Sequence, residues 1–318
     1  MDNGSRIVKS ELYVTSYCPH GLCEYCFGQG DFGPDGQHVD TGTLLLRADM
    51  LLEYHQKHPL GVVSMLGGEP LTHPELHVVA QQYGRRLPLA LNSAGLPDEG
   101  ADIDVLIQSM DRWGATYNPH MADRYVALVS RLLSAGKRPE TVMHYRDFDS
   151  FQSASGHFID NALPRLPVLD REWKEGFVKY VKSWEPDEYF PFVQHVPYGT
   201  MRENSPMTVC YTQIDDRFTR STPKAFEPPL LNDGFLARCH FSRRADKAIS
   251  IDERGRVLPC TSPGQRHVAP VIRDLDGMGF LPSNLPEYLG ECGKMLEERG
   301  TEGYCDMTCS TMDWALDD

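Results

Sequence analysis

From residue 11 to about residue 198, short β-rich runs alternate with amphipathic helical stretches, and this alternation restricts the chain to a parallel α/β layout. Glu11 to Thr15, Gly61 to Leu66, Leu87 to Leu91, Ala115 to Asn118 and Thr141 to Arg146 read as five strands, and Tyr189 to Val196 is expected as a sixth. Between the second and third, Leu76, Val79, Ala80 and Tyr83 repeat at helical spacing, with Thr72 placed to cap the start and Gly84 to end the run. Ile103, Leu106, Ile107 and Met110 mark the next helix. Tyr125, Leu128, Val129 and Leu132 mark another, which Gly136 stops. The stretch from Gly199 to about Ala237 holds four prolines and little periodicity, as a connecting segment does. The expected organisation is residues 1–200 as one α/β domain, 201–237 as a linker and 238–318 as a small C-terminal domain, a division that 318 residues accommodate.

A hydrophobic content of 41% with 24% charged residues suits a folded soluble protein, and no apolar run approaches the roughly 18 residues that span a bilayer. Met1 to Ser10 contains no apolar stretch of the kind a secretory signal needs, so a reducing cytoplasm is the expected location. In that compartment nine cysteines read as metal ligands or reactive thiols rather than disulfides. A formal charge of -14 argues against broad contact with nucleic-acid phosphates, and the acidic surface reads as a solvated one.

Five of the nine cysteines lie in the last 81 residues, and three others, Cys18, Cys23 and Cys26, crowd one loop directly after the first strand. A structural zinc site or an electron-transfer cluster has four protein ligands, whereas a cluster held by three leaves one iron open. Spacing alone leaves alternatives. The gaps of four and two residues match plant-type 2Fe-2S ferredoxins, although the next cysteine, Cys210, lies far along the chain, and zinc with His20 as a fourth ligand also fits. A second motif, Gly67-Gly68-Glu69-Pro70, ends the second strand. By itself it reads equally as a strand-to-helix turn.

Together, the cysteine loop, with Tyr25 just before its last cysteine, and the later Gly-Gly-Glu-Pro segment resemble the radical S-adenosylmethionine (SAM) superfamily. The resemblance implies a partial (β/α)6 TIM-like barrel over about the first 200 residues, with chemistry at the C-terminal ends of its strands. It implies that Cys18, Cys23 and Cys26 bind a 4Fe-4S cluster whose open iron takes SAM, and that Gly67, Gly68, Glu69 and Pro70 meet the SAM amino group. The glycines would admit a close ligand, and the carboxylate would balance an ammonium. The usual family spacing is three residues then two. Here the first gap holds four, Pro19 to Leu22, and Gly21 can let the extra residue loop out. By position at strand ends, Asn92, Ser93 and Asn118 are candidates for the SAM ribose or carboxylate, and Arg146 for the carboxylate. Residues of this kind also serve as helix caps.

Beyond the linker, Ala248 to Ile251 and Arg256 to Leu258 flank Asp252-Glu253-Arg254-Gly255 as a β-hairpin, which brings Cys239 toward Cys260. This resembles the opening of the SPASM and Twitch extensions of radical SAM enzymes. It implies an auxiliary 4Fe-4S cluster on Cys239, Cys260, Cys305 and Cys309, with Cys292 left over. Five cysteines suit the one-cluster Twitch type, and four thiolates suit structural zinc as well. Cys210 and His195 are the candidate catalytic side chains; inert packing and a structural histidine are the plainer readings.

The function expected from the resemblance is reductive cleavage of SAM and hydrogen abstraction from a substrate carbon, leading to oxidation or rearrangement. The expected partners are a small-molecule substrate in preference to a peptide, because Cys18 lies so near the start of the sequence, and an electron donor such as flavodoxin or ferredoxin. A peptide-modifying maturase and a non-catalytic electron-transfer protein are the alternatives.

Overall fold

The computed structural model describes residues 9–19, 23, 32–57, 59–184, 198–199, 205–213, 248–258 and 273–274. The chain lays down β1 (Lys9–Thr15), α1 (Thr41–Lys57), β2 (Val62–Gly67), α2 (Leu76–Tyr83), β3 (Leu89–Ser93), α3 (Ile103–Ser109) and β4 (Arg112–Tyr117). It continues with α4 (Ala122–Ser134), β5 (Glu140–Tyr145), α5 (Phe148–His157), α6 (Arg171–Lys182), β6 (Thr208–Gln213), β7 (Ala248–Ile251), β8 (Arg256–Leu258) and β9 (Arg273–Asp274). These strands form one sheet in the order β6-β5-β4-β3-β2-β1-β7-β8-β9. The first six are parallel neighbours in sequence order, as successive βα crossovers of one hand produce.

Among the described residues the helices cover one face, and strand alternation shows which. Leu12 and Val14 of β1, Val63 and Met65 of β2, and Leu89 and Leu91 of β3 share a buried core with Leu44 and Leu51 of α1, Val79 of α2 and Leu106 of α3. Ala115 and Tyr117 of β4, Met143 of β5 and Val209 of β6 share a second core with Val129 of α4 and Trp173 and Phe177 of α6. The alternate residues, among them Ser64, Asn92, Gly114, Thr116, Val142, His144 and Cys210, therefore face the opposite side of the sheet.

Two elements depart from the expectation, one through pairing across the sheet and the other through a local turn. The strand beside β5 is Thr208–Gln213, in register from Glu140↔Thr208 to Tyr145↔Gln213, so the sheet extends past residue 200 into the stretch read as a linker. The segment expected as the sixth strand, 189–196, lies outside the described residues. Thr72 does not cap α2. Its hydroxyl donates to Glu69 O at 2.6 Å inside a 3-10 turn, Pro70–Thr72, and α2 begins at Leu76.

The C-terminal hairpin forms as read, with Ser250↔Leu258 and Ile251↔Val257 paired antiparallel and Gly255 at φ 80° in the turn, a value that favours glycine. It is not set apart from the preceding layers. β7 runs parallel to β1, from Lys9↔Ala248 to Leu12↔Ile251, and Ile251 is fully buried in the core of α1 and α2. Arg47 of α1, itself buried, donates to Asp252 O at 3.2 Å and Glu253 O at 3.4 Å, which fastens the hairpin turn to the helical layer. The hairpin thus covers the edge of β1 that an unpaired strand would expose.

Candidate active site

The site is assembled where β1 and β2 end. Tyr13 pairs with Leu66 and Thr15 with Gly67, so one residue of β1 bulges and turns the strand end. From there the chain enters the cysteine loop, whose two ends are zipped together. Ser16 N–H donates to Gln37 O at 2.9 Å, Cys18 N–H to Gly33 O at 2.9 Å and Val39 N–H to Val14 O at 3.0 Å. Phe32, on the returning arm, stacks on Tyr13 with ring centroids 6.0 Å apart.

Gly67 and Gly68 lie directly against this loop. Gly68 N–H donates to Thr15 O and Glu69 N–H to Tyr17 O, each at 2.9 Å. Gly67 has φ 142°, and a Cβ there would stand 2.1 Å from Thr15 O. At Gly68 a Cβ would stand 2.2 Å from Tyr17 O and 3.0 Å from Cys18 Cβ. The glycines are therefore required by the cysteine loop itself, in addition to any ligand. Two motifs about fifty residues apart in sequence are thus in contact.

Glu69 is 3% exposed, and its carboxylate is already well supplied with donors. Oε1 accepts from Ser93 Oγ at 2.7 Å and Leu71 N at 3.2 Å, and Oε2 accepts from Ala94 N at 3.0 Å. Burial pushes its pKa up to about 7, while the three donors pull the other way. This carboxylate ties the end of β2 to the end of β3. Ser93, 3% exposed, is committed to the same tie, donating to Glu69 and accepting from Gly95 N at 3.1 Å. Pro70 is buried at the start of the 3-10 turn, where its missing N–H leaves no gap.

Asn92 has an exposed side chain on the helix-free face, lying over Gly114 of the next strand, where a Cβ would meet its Oδ1 at 1.7 Å. Asn118 follows β4, is 8% exposed, accepts from His120 N at 3.0 Å through Oδ1 and directs Nδ2 at Cys23 Sγ, 3.6 Å away. Arg146 is exposed just past β5, beside the Asp147–Ser150 capping box of α5. Cys18, Cys23 and Cys210 form no disulfide. Cys210 is adjacent to Val142, three residues before the end of β6, roughly 10 Å short of that strand's C-terminal end. Burial, together with Glu140, pushes its pKa far upward, so it remains a thiol. Tyr25, Cys26, His195, Cys239, Cys260, Cys292, Cys305 and Cys309 lie outside the described residues.

Three supporting residues were not read from the sequence. His144 lies on the helix-free face of β5, and burial lowers its pKa to about 4, so it is neutral. Strand alternation within Thr141 to Arg146 carried the signal that would have placed it there. His38 and His73 stack edge to face behind the loop, 5.1 Å apart, and Tyr17 packs edge-on to His38 at 5.3 Å. His73 Nδ1 accepts from Glu75 N, so Nε2 donates to Val39 O at 2.8 Å and props the returning arm. No spacing in the sequence marks that pair.

The described residues thus define a class: a parallel βα sheet, covered by helices on one face, with cysteine and amide side chains where its strands end on the other. No protein-family profile matches the sequence, and no curated protein matches it. Solved structures do. The chain is similar to SuiB of Streptococcus suis bound to S-adenosylmethionine, with a TM-score of 0.50 and 13% identity over 96% of this chain and 75% of that one. SuiB bound to the precursor peptide SuiA aligns with a TM-score of 0.49 at 12% identity, over 87% and 65% of the two chains. At such identity the likeness is one of fold, and this chain shares the mixed α/β fold of SuiB. No helix among the described residues is long and apolar enough to cross a membrane.

Proposed function

We propose that this chain is a radical SAM enzyme in which Cys18, Cys23 and Cys26 hold a 4Fe-4S cluster at the end of β1. The observation that carries this reading is the contact between the cysteine loop and Gly67-Gly68, formed at the C-terminal edge of a parallel sheet. The residues present fit such a group: Cys18 and Cys23 of the loop form no disulfide, and an amide donor faces Cys23. SuiB, whose fold the chain shares, binds SAM. When bound, such a cluster would supply the electron for reductive cleavage of SAM and so the radical chemistry of hydrogen abstraction from a substrate carbon. The chain's own part is to hold the thiols, place the ligand above the helix-free face and keep water out. Asn92 and Arg146 are the strand-end side chains exposed to bond SAM. Gly67, Gly68, Glu69, Ser93 and Pro70 shape the cradle from behind.

The substrate reading moves toward a peptide. SuiB, whose fold the chain shares, binds a precursor peptide. We assign the auxiliary 4Fe-4S cluster to Cys239, Cys260, Cys305 and Cys309, supported by the hairpin that ends two residues before Cys260.

Anaerobically reconstituted protein should bind iron and sulfide and form 5'-deoxyadenosine from SAM with an artificial reductant. Changing Cys18, Cys23 and Cys26 together to alanine should abolish that product while part of the iron remains. Zinc in place of iron, or iron without SAM cleavage, would overturn the reading. Deuterium carried into 5'-deoxyadenosine from a deuterated peptide fraction, and not from deuterated small molecules, identifies the substrate class.

A further inference from the structure

Asn118 was a candidate SAM ligand by position, but its two ends are already assigned. Oδ1 accepts from the His120 backbone N–H at 3.0 Å as the N-cap of the turn Pro119–Met121. A backbone N–H bonds only to an acceptor, so this contact fixes which end of the amide is oxygen. The NH2 end is therefore the one that faces Cys23 Sγ at 3.6 Å. The side chain is 8% exposed and held by its cap, so the donor is pre-aimed rather than recruited. An N–H directed at a ligand sulfur stabilises the more negative, reduced state of an iron-sulfur cluster.

We infer that Asn118 is a positioning residue for Cys23, orienting its sulfur and setting the ease with which the cluster accepts an electron, and is not a SAM ligand. This inference rests on the cluster assignment proposed above. The end of β4 thereby serves the electron-accepting half of the site, while Asn92 and Arg146 are left to the ligand.

The test replaces Asn118 with serine, which keeps the cap through its hydroxyl but is too short to reach the sulfur. Reduction of the anaerobically reconstituted protein is followed by electron paramagnetic resonance at controlled potential, with iron content measured alongside. With iron fully loaded, the midpoint of N118S should shift to a more negative value. At one fixed poise its reduced fraction should fall several-fold, while the equilibrium Kd for SAM stays within about twofold. Asn118→Asp, which also retains the cap and lacks a donor, should shift the midpoint in the same direction and serves if the serine variant loads poorly. An unchanged midpoint in fully loaded N118S, or an unchanged midpoint with SAM affinity lost, overturns the inference while leaving the enzyme class standing. Absence of iron from the wild-type protein removes the cluster reading and the inference with it.

Discussion

The ends of β2 and β4 both present a polar side chain near the cysteine loop, yet they use it in opposite ways. At β2, Glu69 is a buried carboxylate that receives three donors from the protein itself. At β4, Asn118 spends one end on a local cap and aims the other at Cys23. Position at a strand end therefore does not by itself identify a ligand-binding group. What distinguishes them is whether the polar atoms are already consumed by neighbours.

The largest effect expected from this contrast is on stability at the β2 end. Glu69→Ala leaves Leu71 N–H, Ala94 N–H and the Ser93 hydroxyl without their acceptor. With each such group costing about 1–3 kcal/mol, the loss should be at least about 3 kcal/mol in chemical denaturation. If Glu69 served only the ligand, the apo protein would barely notice.

Titration sharpens the same point. A folded-state pKa of about 7, raised from 4.5, means that the unfolded chain releases the proton first as pH rises. The stability associated with protonated Glu69 is fully present below about pH 4.5 and is lost through pH 7, by about 3 kcal/mol at 1.36 kcal/mol per unit. Glu69→Gln should flatten that slope. If SAM affinity also climbs several-fold as pH rises through 7 in the wild type and not in E69Q, the carboxylate pairs with the SAM ammonium after all. A flat profile confines it to the tie between β2 and β3.

Ser93→Ala removes one donor from that carboxylate and should cost about 1–2 kcal/mol, with SAM affinity changed less than stability. A tenfold or greater loss of SAM affinity in a variant of nearly wild-type stability would return Ser93 to the ligand. Asn118→Ala should cost least, about 1 kcal/mol for the lost cap, while giving the clearest shift in the reduction of the cluster. An N118A variant destabilised as much as E69A would erase the distinction between the two strand ends.

Much of this architecture was legible because it is local. The apolar spacing of Leu76, Val79, Ala80 and Tyr83 located α2, and that of Tyr125, Leu128, Val129 and Leu132 located α4, because burial on one helix face leaves a period in the sequence. The hairpin around Gly255 was legible for a similar reason, since its turn and its two short strands are contiguous. α1 was not read, although Asp40 caps its first turn by accepting from Thr43 N and Leu44, Ala48, Leu51 and Leu52 line its buried face. The strand Thr208–Gln213 was not read because it is a short β-prone run inside a proline-bearing stretch, and only pairing with β5 marks it as part of the sheet.

The sequence by itself determined that three thiols share one loop and that two glycines precede Glu69, facts of spacing that no fold can alter. Only the tertiary structure decided that those glycines are needed to admit the loop, that Glu69 is consumed by Ser93, Leu71 and Ala94, and that Asn118 reaches a sulfur 95 positions away. The physical reason is range. Helical period, capping and turn geometry act over a few residues and leave a trace in the order of the chain, whereas hydrogen-bond partners across strand ends are chosen by packing, which sequence separation does not encode.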